Sequence, residues 1–130
     1  MSLEEIFSCR GKVALVTGAA SGLGFMFAEA MAEAGADVAC ADIDMDGLSD
    51  TMRTVEALGR KAIAIRCNVA DEEQVKRMVA DTVKAFGTID ILFNNAGIGP
   101  RPCPVHELAT EDWGKVIDVD LNGAFYCARE

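Results

Sequence analysis

The chain has 130 residues, 51% of them hydrophobic and 25% charged, with a formal net charge of −9. That is the length of a single packed domain and the composition of a folded one, not of a disordered chain. The acidic excess withholds the positive surface that nucleic acid or an anionic membrane would need, so neither is expected as a partner.

No apolar run reaches the length of a membrane span. The acidic start, Met1-Ser2-Leu3-Glu4-Glu5, lacks the basic-then-apolar layout of a signal peptide, and a cytoplasmic location is expected. The five cysteines, at 9, 40, 67, 103 and 127, form no Cys-x-x-Cys pair, and no disulfide framework or metal site is expected from them. Cys40 and Cys67 lie inside apolar runs and read as small buried hydrophobes.

Residues 1–11 carry no readable chemistry, although Ile6 and Phe7 are expected to tuck against a sheet edge. Lys12 to Val16 is a short Val/Leu-rich run, the pattern of a strand buried on both faces of a parallel sheet. Thr17-Gly18-Ala19-Ala20-Ser21-Gly22-Leu23-Gly24 follows. Beyond it, Leu23, Phe27, Ala30, Met31 and Ala34 recur at threes and fours and predict a helix closed by Gly35. Strand, glycine loop and helix together form a phosphate-binding device, because the first amides of a helix lack internal partners and carry partial positive charge. Gly18 serves the sharp exit from the strand, Gly22 the approach of a phosphate, and Gly24 the contact of helix with sheet.

Asp37 to Asp42 is a second strand ending in an acid, placed where a carboxylate grips the ribose hydroxyls of an adenosine. Leu48, Met52, Val55 and Leu58 mark a second helix that ends near Gly59. Lys61 to Cys67 alternates into a third strand and runs out into Asn68-Val69. Asp71 and Gln74 form a capping box for a third helix, whose buried stripe is Val75, Met78, Val79, Thr82, Val83 and Phe86. Gly87 ends it. Ile89 to Phe93 is a fourth strand, feeding Asn94-Asn95-Ala96-Gly97, and no hairpin partner follows this turn.

Thr17-Gly18-x-x-x-Gly22-x-Gly24 after a first strand, with Asn94-Asn95-Ala96-Gly97 after a fourth, resembles the short-chain dehydrogenase/reductase family over essentially the whole chain. The resemblance implies an α/β fold, a Rossmann-type doubly wound parallel sheet of which the first four βα units are present. It implies residues 1–130 as the N-terminal part of an NAD(P)-binding domain, truncated before the family's catalytic Tyr-x-x-x-Lys segment. The implied function is hydride transfer between a nicotinamide cofactor and a secondary alcohol or carbonyl, in a homo-oligomeric parent protein. The alternative is a non-catalytic dinucleotide-binding or regulatory short form. Carried over position by position, the cofactor-binding residues are Thr17, Gly18, Ser21, Gly22, Leu23, Gly24, Asp42, Asn68, Val69, Asn95, Ala96 and Gly97. The family usually has aspartate where Asn68 stands, and the amide oxygen of Asn68 can still accept from an adenine amino group. NAD is expected over NADP, because a ribose phosphate would meet the Asp42 carboxylate while Ser21 precedes Gly22 and Ile43 follows Asp42, neither of them basic.

Ile98 to Leu108 is a Pro-rich loop holding Arg101, Cys103 and the lone His106, and by resemblance it lies at the mouth of the site. Arg101 would suit an acidic substrate; His106 and Cys103 are given no role. Thr110 is expected to cap a fourth helix whose stripe is Trp113, Val116, Ile117, Asp120, Leu121 and Ala124. A carboxylate inside such a stripe must be hydrogen-bonded. In the family the place of Asp120 usually holds an asparagine that anchors a water beside the catalytic lysine, so Asp120 is the one catalytic candidate here. The family's serine, tyrosine and lysine are absent as a set. Tyr126 is the only tyrosine, with Glu130 standing where the lysine would fall, and the 130-residue chain alone is expected to be inactive.

Overall fold

A computed structural model describes all 130 residues. The four apolar runs form strands β1 (Val13–Thr17), β2 (Asp37–Asp42), β3 (Ala62–Arg66) and β4 (Ile91–Phe93). They pair in parallel in the order β3-β2-β1-β4. The order reverses beside β1. A crevice therefore opens at the carboxyl ends of β1 and β4, the place where doubly wound sheets take their ligands.

Helices α2 (Gly22–Glu33) and α3 (Met45–Ala57) cover one face of the sheet, and α4 (Glu72–Phe86) and α6 (Ala124–Arg129) the other. One half of the core joins Val16, Val38 and Cys40 to Ala28, Ala32, Leu48 and Val55. The other joins Leu15, Ala39 and Ala41 to Cys67, Val75, Met78 and Cys127. Each fully buried Leu or Val contributes about 1.5–3 kcal/mol, so the five residues of β1, all buried, form the spine of the molecule.

Several expectations are corrected. The buried face of α2 is Gly24, Ala28 and Ala32, whereas Leu23 is 62% exposed and Ala30 is exposed too. The helix turns its smallest side chains inward because it lies close against β1. Phe27 and Met31 pack only at the margin of that cluster. Ile6 and Phe7 do not tuck against the sheet: they lie exposed on a short helix α1 (Leu3–Phe7), held by a capping box between Ser2 and Glu5. Strand β3 does not alternate, for Ala62 to Ile65 are all half-buried, as suits an edge. Asp71 caps α4 as expected, but Gln74 reaches past it, its side-chain oxygen accepting from the Asn68 amide at 2.9 Å.

The last segment departs most. Helix α5 (Thr110–Val116) is capped at Ala109 without a side-chain bond, so Thr110 is its first helical residue and not its cap. Ile117–Gly123 is then π-helical before α6 begins. A π turn takes up more residues than an α turn and rotates everything beyond it. A stripe drawn at a 3.6-residue period therefore fails there: Leu121 is 61% exposed, while Gly123 and Cys127 are buried; Trp113, ahead of the π segment, is 57% exposed as well.

The amino end of β1 is fixed by Asp90, the residue before β4. An Asp90 carboxylate oxygen accepts from the Val13 amide at 2.9 Å, and the other pairs with Lys12 at 3.2 Å. These contacts, the Val13 amide first and Lys12 second, hold the Asp90 carboxyl below its ordinary 3.8. A native value below the unfolded one means that this stabilisation is complete above the ordinary value and is lost as pH falls through the native value. Asp90→Ala is accordingly expected to lower the melting temperature at neutral pH and to flatten the acid-side fall in melting temperature. Circular dichroism melts of both proteins across the acid range check this.

Candidate functional site

The two glycine motifs meet at Thr17. Its hydroxyl donates to the Phe93 carbonyl at 3.3 Å and accepts from the amides of Asn95 at 3.1 Å and Ala96 at 3.0 Å. In return the Asn95 side-chain amide donates to the carbonyls of Thr17 at 3.0 Å and Gly18 at 3.4 Å. Thr17 is fully buried. Two of the proposed cofactor residues, Thr17 and Asn95, thus stand behind the site and set the relative position of its two loops. Phe27 of α2 stacks on Phe93 with ring centroids 4.8 Å apart, which ties the helix to the same junction.

The glycine loop is shaped by two different needs. At Gly24 an added Cβ would overlap the Gly18 carbonyl and lie 2.8 Å from the Asn95 amide nitrogen, so only a glycine lets the helix start so close to the strand end. Gly22 has a φ of +55°, and a Cβ there would meet no protein atom. Its outer side is open to a ligand. The amides of Ala19 and Ala20 are taken by Ala41 and Asp42, and that of Phe25 by the Ser21 carbonyl at 3.3 Å. Between them the amides of Ser21, Gly22, Leu23 and Gly24 have no protein acceptor. Ser21 occupies the N-cap position but makes no side-chain cap bond, which leaves these donors free for an anion.

At the carboxyl ends of the strands, Gly18, Asp42, Asn68, Val69, Ala96 and Gly97 line one cleft together with Ile43, Cys67, Ile98 and Val119. Asp42 is half-buried, one oxygen accepting from the Ala20 amide at 3.0 Å and the other from the Asp44 amide at 3.1 Å. Each carboxylate oxygen keeps a further lone pair for a hydroxyl donor. Asn68 uses its amide oxygen to accept from Ala70 at 3.0 Å, which fixes the side chain and leaves its second lone pair free. Burial pushes the Cys67 thiol up to about 12. Cys40 is likewise raised to about 12 and Cys127 to about 11 by burial, so all three are inert packing groups at neutral pH.

Asp120 does not lie in a buried stripe. The π-helical turn brings it to the surface beside Gly97, where a carboxylate oxygen accepts from the Ile98 amide at 2.8 Å. The required hydrogen bond is present, and it holds the start of the Pro-rich loop. Gly123 of the same turn packs on Val69 so closely that a Cβ would come within 2.7 Å of its side chain. Arg101 and His106 are exposed and outside the cleft. Tyr126 packs against the core.

One residue that the sequence reading passed over stands next to the site. Arg66 is the register partner of Asp42 across β2 and β3, so the two side chains leave the same face of the sheet. Only the strand register reveals this neighbour; its separation from Asp42 along the chain gives no sign of it.

Free loop amides, an open side at Gly22 and a neighbouring carboxylate with spare lone pairs fit the phosphates and adenosine ribose of a dinucleotide. Comparisons with known proteins agree. A sequence model described as short chain dehydrogenase matches residues 12–130. Sorbose reductase of Candida albicans is 42% identical over 126 residues, covering 96% of this chain and 45% of its own. A probable NADP-dependent mannitol dehydrogenase of Yarrowia lipolytica is 42% identical over 135 residues, covering 98% and 46%. Among solved structures, a short-chain type dehydrogenase/reductase from Mycobacterium marinum superposes with a TM-score of 0.95 at 36% identity, over 99% of this chain and 52% of that one. NAD+-bound xylitol dehydrogenase superposes at 0.90 with 36% identity, over 92% and 46%. The chain spans about half the length of the curated relatives it matches.

The two loop glycines should respond differently to an added methyl. Gly24→Ala is expected to cost about 3 kcal/mol of folding stability by overpacking backbone against backbone. Gly22→Ala, strained only through its positive φ, should cost about 1–2 kcal/mol. Urea denaturation of the two variants measures the difference.

Proposed function

Because the chain belongs to the short-chain dehydrogenase/reductase family, we propose that it is the dinucleotide-binding part of an oxidoreductase acting on a secondary alcohol or its carbonyl. The observation that carries the reading is the set of four free amides, Ser21 to Gly24, following the carboxyl end of β1, with the half-buried Asp42 carboxylate at the end of the neighbouring β2. The amides would hold the diphosphate, Asp42 the ribose hydroxyls, and Asn68 with Val69 the edge and face of the adenine. The nicotinamide, when bound, supplies the hydride chemistry. These 130 residues contain no Tyr-x-x-x-Lys pair to move the substrate proton, and so by themselves they bind without turning over. We place the whole protein in the cytoplasm, with small alcohols or carbonyls and further copies of itself as partners. No helix of the chain is long and apolar enough to cross a membrane.

We assign NAD in preference to NADP, since a ribose phosphate would lie against the Asp42 carboxylate. The contrary reading has one observation in its favour. Arg66, exposed and in register beside Asp42, is a cation within the same neighbourhood, and one relative is described as probably NADP-dependent. Two outcomes are expected for the chain. NAD should bind about tenfold or more tightly than NADP, a difference of at least about 1.4 kcal/mol, in calorimetric titrations; tighter NADP would establish the Arg66 reading instead. Absorbance assays with mannitol, sorbose and cyclohexanol as substrates should show no nicotinamide reduction or oxidation above background, and clear turnover would refute the binding-only assignment.

A further inference from the structure

The glycine loop is anchored at three backbone atoms, and one of the anchors comes from a helix outside the cleft. The Ala19 amide donates to the Ala41 carbonyl at 3.1 Å and the Ala20 amide to Asp42 at 3.0 Å. The third is the Ala19 carbonyl, which accepts from the Thr51 hydroxyl at 2.7 Å. Thr51 stands in α3, is 0% exposed, and is absent from the lining of the cleft. A threonine inside a helix ordinarily turns its hydroxyl back to the carbonyl four residues earlier. Here that carbonyl, Gly47, lies at 3.3 Å. The single proton therefore goes to the shorter, buried bond with Ala19.

The rest of α3 is shaped to bring Thr51 there. Asp44 caps the helix by accepting from the amides of Asp46 and Gly47, and Gly47 lies so near the loop that a Cβ would come within 2.8 Å of both the Ala20 Cβ and the Ala20 carbonyl oxygen. The helix is thus pressed onto the Ala19–Ala20 peptides. Ala19 is held through its amide and carbonyl and Ala20 through its amide, and the chain leaves them into the four amides that have no protein acceptor.

We propose that Thr51 is a positioning residue for dinucleotide binding, fixing the Ala19 carbonyl so that the amides of Ser21 to Gly24 converge on one anion without itself touching the ligand. This rests on the reading of that loop as the diphosphate site. Thr51→Val keeps the shape and removes the donor; Thr51→Ser keeps the donor and removes a methyl. In calorimetric titration of the 130-residue chain, Thr51→Val is expected to weaken NAD binding about tenfold while Thr51→Ser stays within about twofold of the parent, the size of effect that follows from leaving one buried carbonyl unpaired. In the ligand-free protein, hydrogen exchange of the 18–24 segment should quicken in Thr51→Val and not in Thr51→Ser.

Undiminished NAD affinity in a folded Thr51→Val protein would overturn the proposal, as would equal losses in the two variants. Should Thr51→Val not fold, Thr51→Ala serves as the donor-free variant: lost affinity in it beside retained affinity in Thr51→Ser supports the hydroxyl as the agent, and equal affinities in the two refute it. If the parent chain binds neither NAD nor NADP, the reading of the loop falls, and unchanged or quickened exchange in ligand-free Thr51→Val still decides whether the hydroxyl holds it.

Discussion

The molecule depends on one buried hydroxyl. Thr17 ends the central strand, and its side chain makes three hydrogen bonds to β4 and the turn beyond it, with Asn95 returning two more. A buried polar group must be satisfied, and in a low-dielectric interior a complete network of this kind specifies a single arrangement. Two loops far apart in sequence are thereby locked to each other. The crevice that both of them border takes its width from this junction rather than from packing alone.

The remaining architecture serves to keep that junction close to helix α2. Ala28 and Ala32 face the sheet where larger side chains would hold the helix away, and Gly24 lets the first turn meet the Gly18 carbonyl. The helix start, where the partial positive charge is greatest, is thus brought against the end of β1. Asp42, at the end of the neighbouring β2, does two things. It braces the loop through the Ala20 amide and offers the remaining lone pairs outward.

Much of this was legible in the sequence, for identifiable reasons. Buried parallel strands announce themselves as apolar runs, and β1 and β2 fall within a residue of their expected bounds. The two glycine motifs marked the site because a turn with positive φ and a close backbone approach leave few other choices of residue. Three kinds of feature were not legible. The inward face of α2 is built from alanine and glycine, so a stripe drawn through its large side chains selects the wrong side. The π-helical turn changes the period partway through a helix, and no residue between Ile117 and Gly123 signals it. Arg66 and Thr51 reach the neighbourhood of the site only through strand register and helix docking, neither of which has a local pattern.

The bond between Asp90 and the Val13 amide joins residues 77 positions apart, and the pairing of β1 with β4 that it begins is of the same span. Contacts of such long range are entropically expensive to close and form late. During synthesis, β1, β2 and β3 can emerge and pair in order while the central strand keeps one side bare until β4 leaves the ribosome. The crevice therefore exists only once β4 has joined β1. Until then the unpaired edge of β1, all of it apolar but for Thr17, is the segment most open to wrong pairing or to capture by a chaperone.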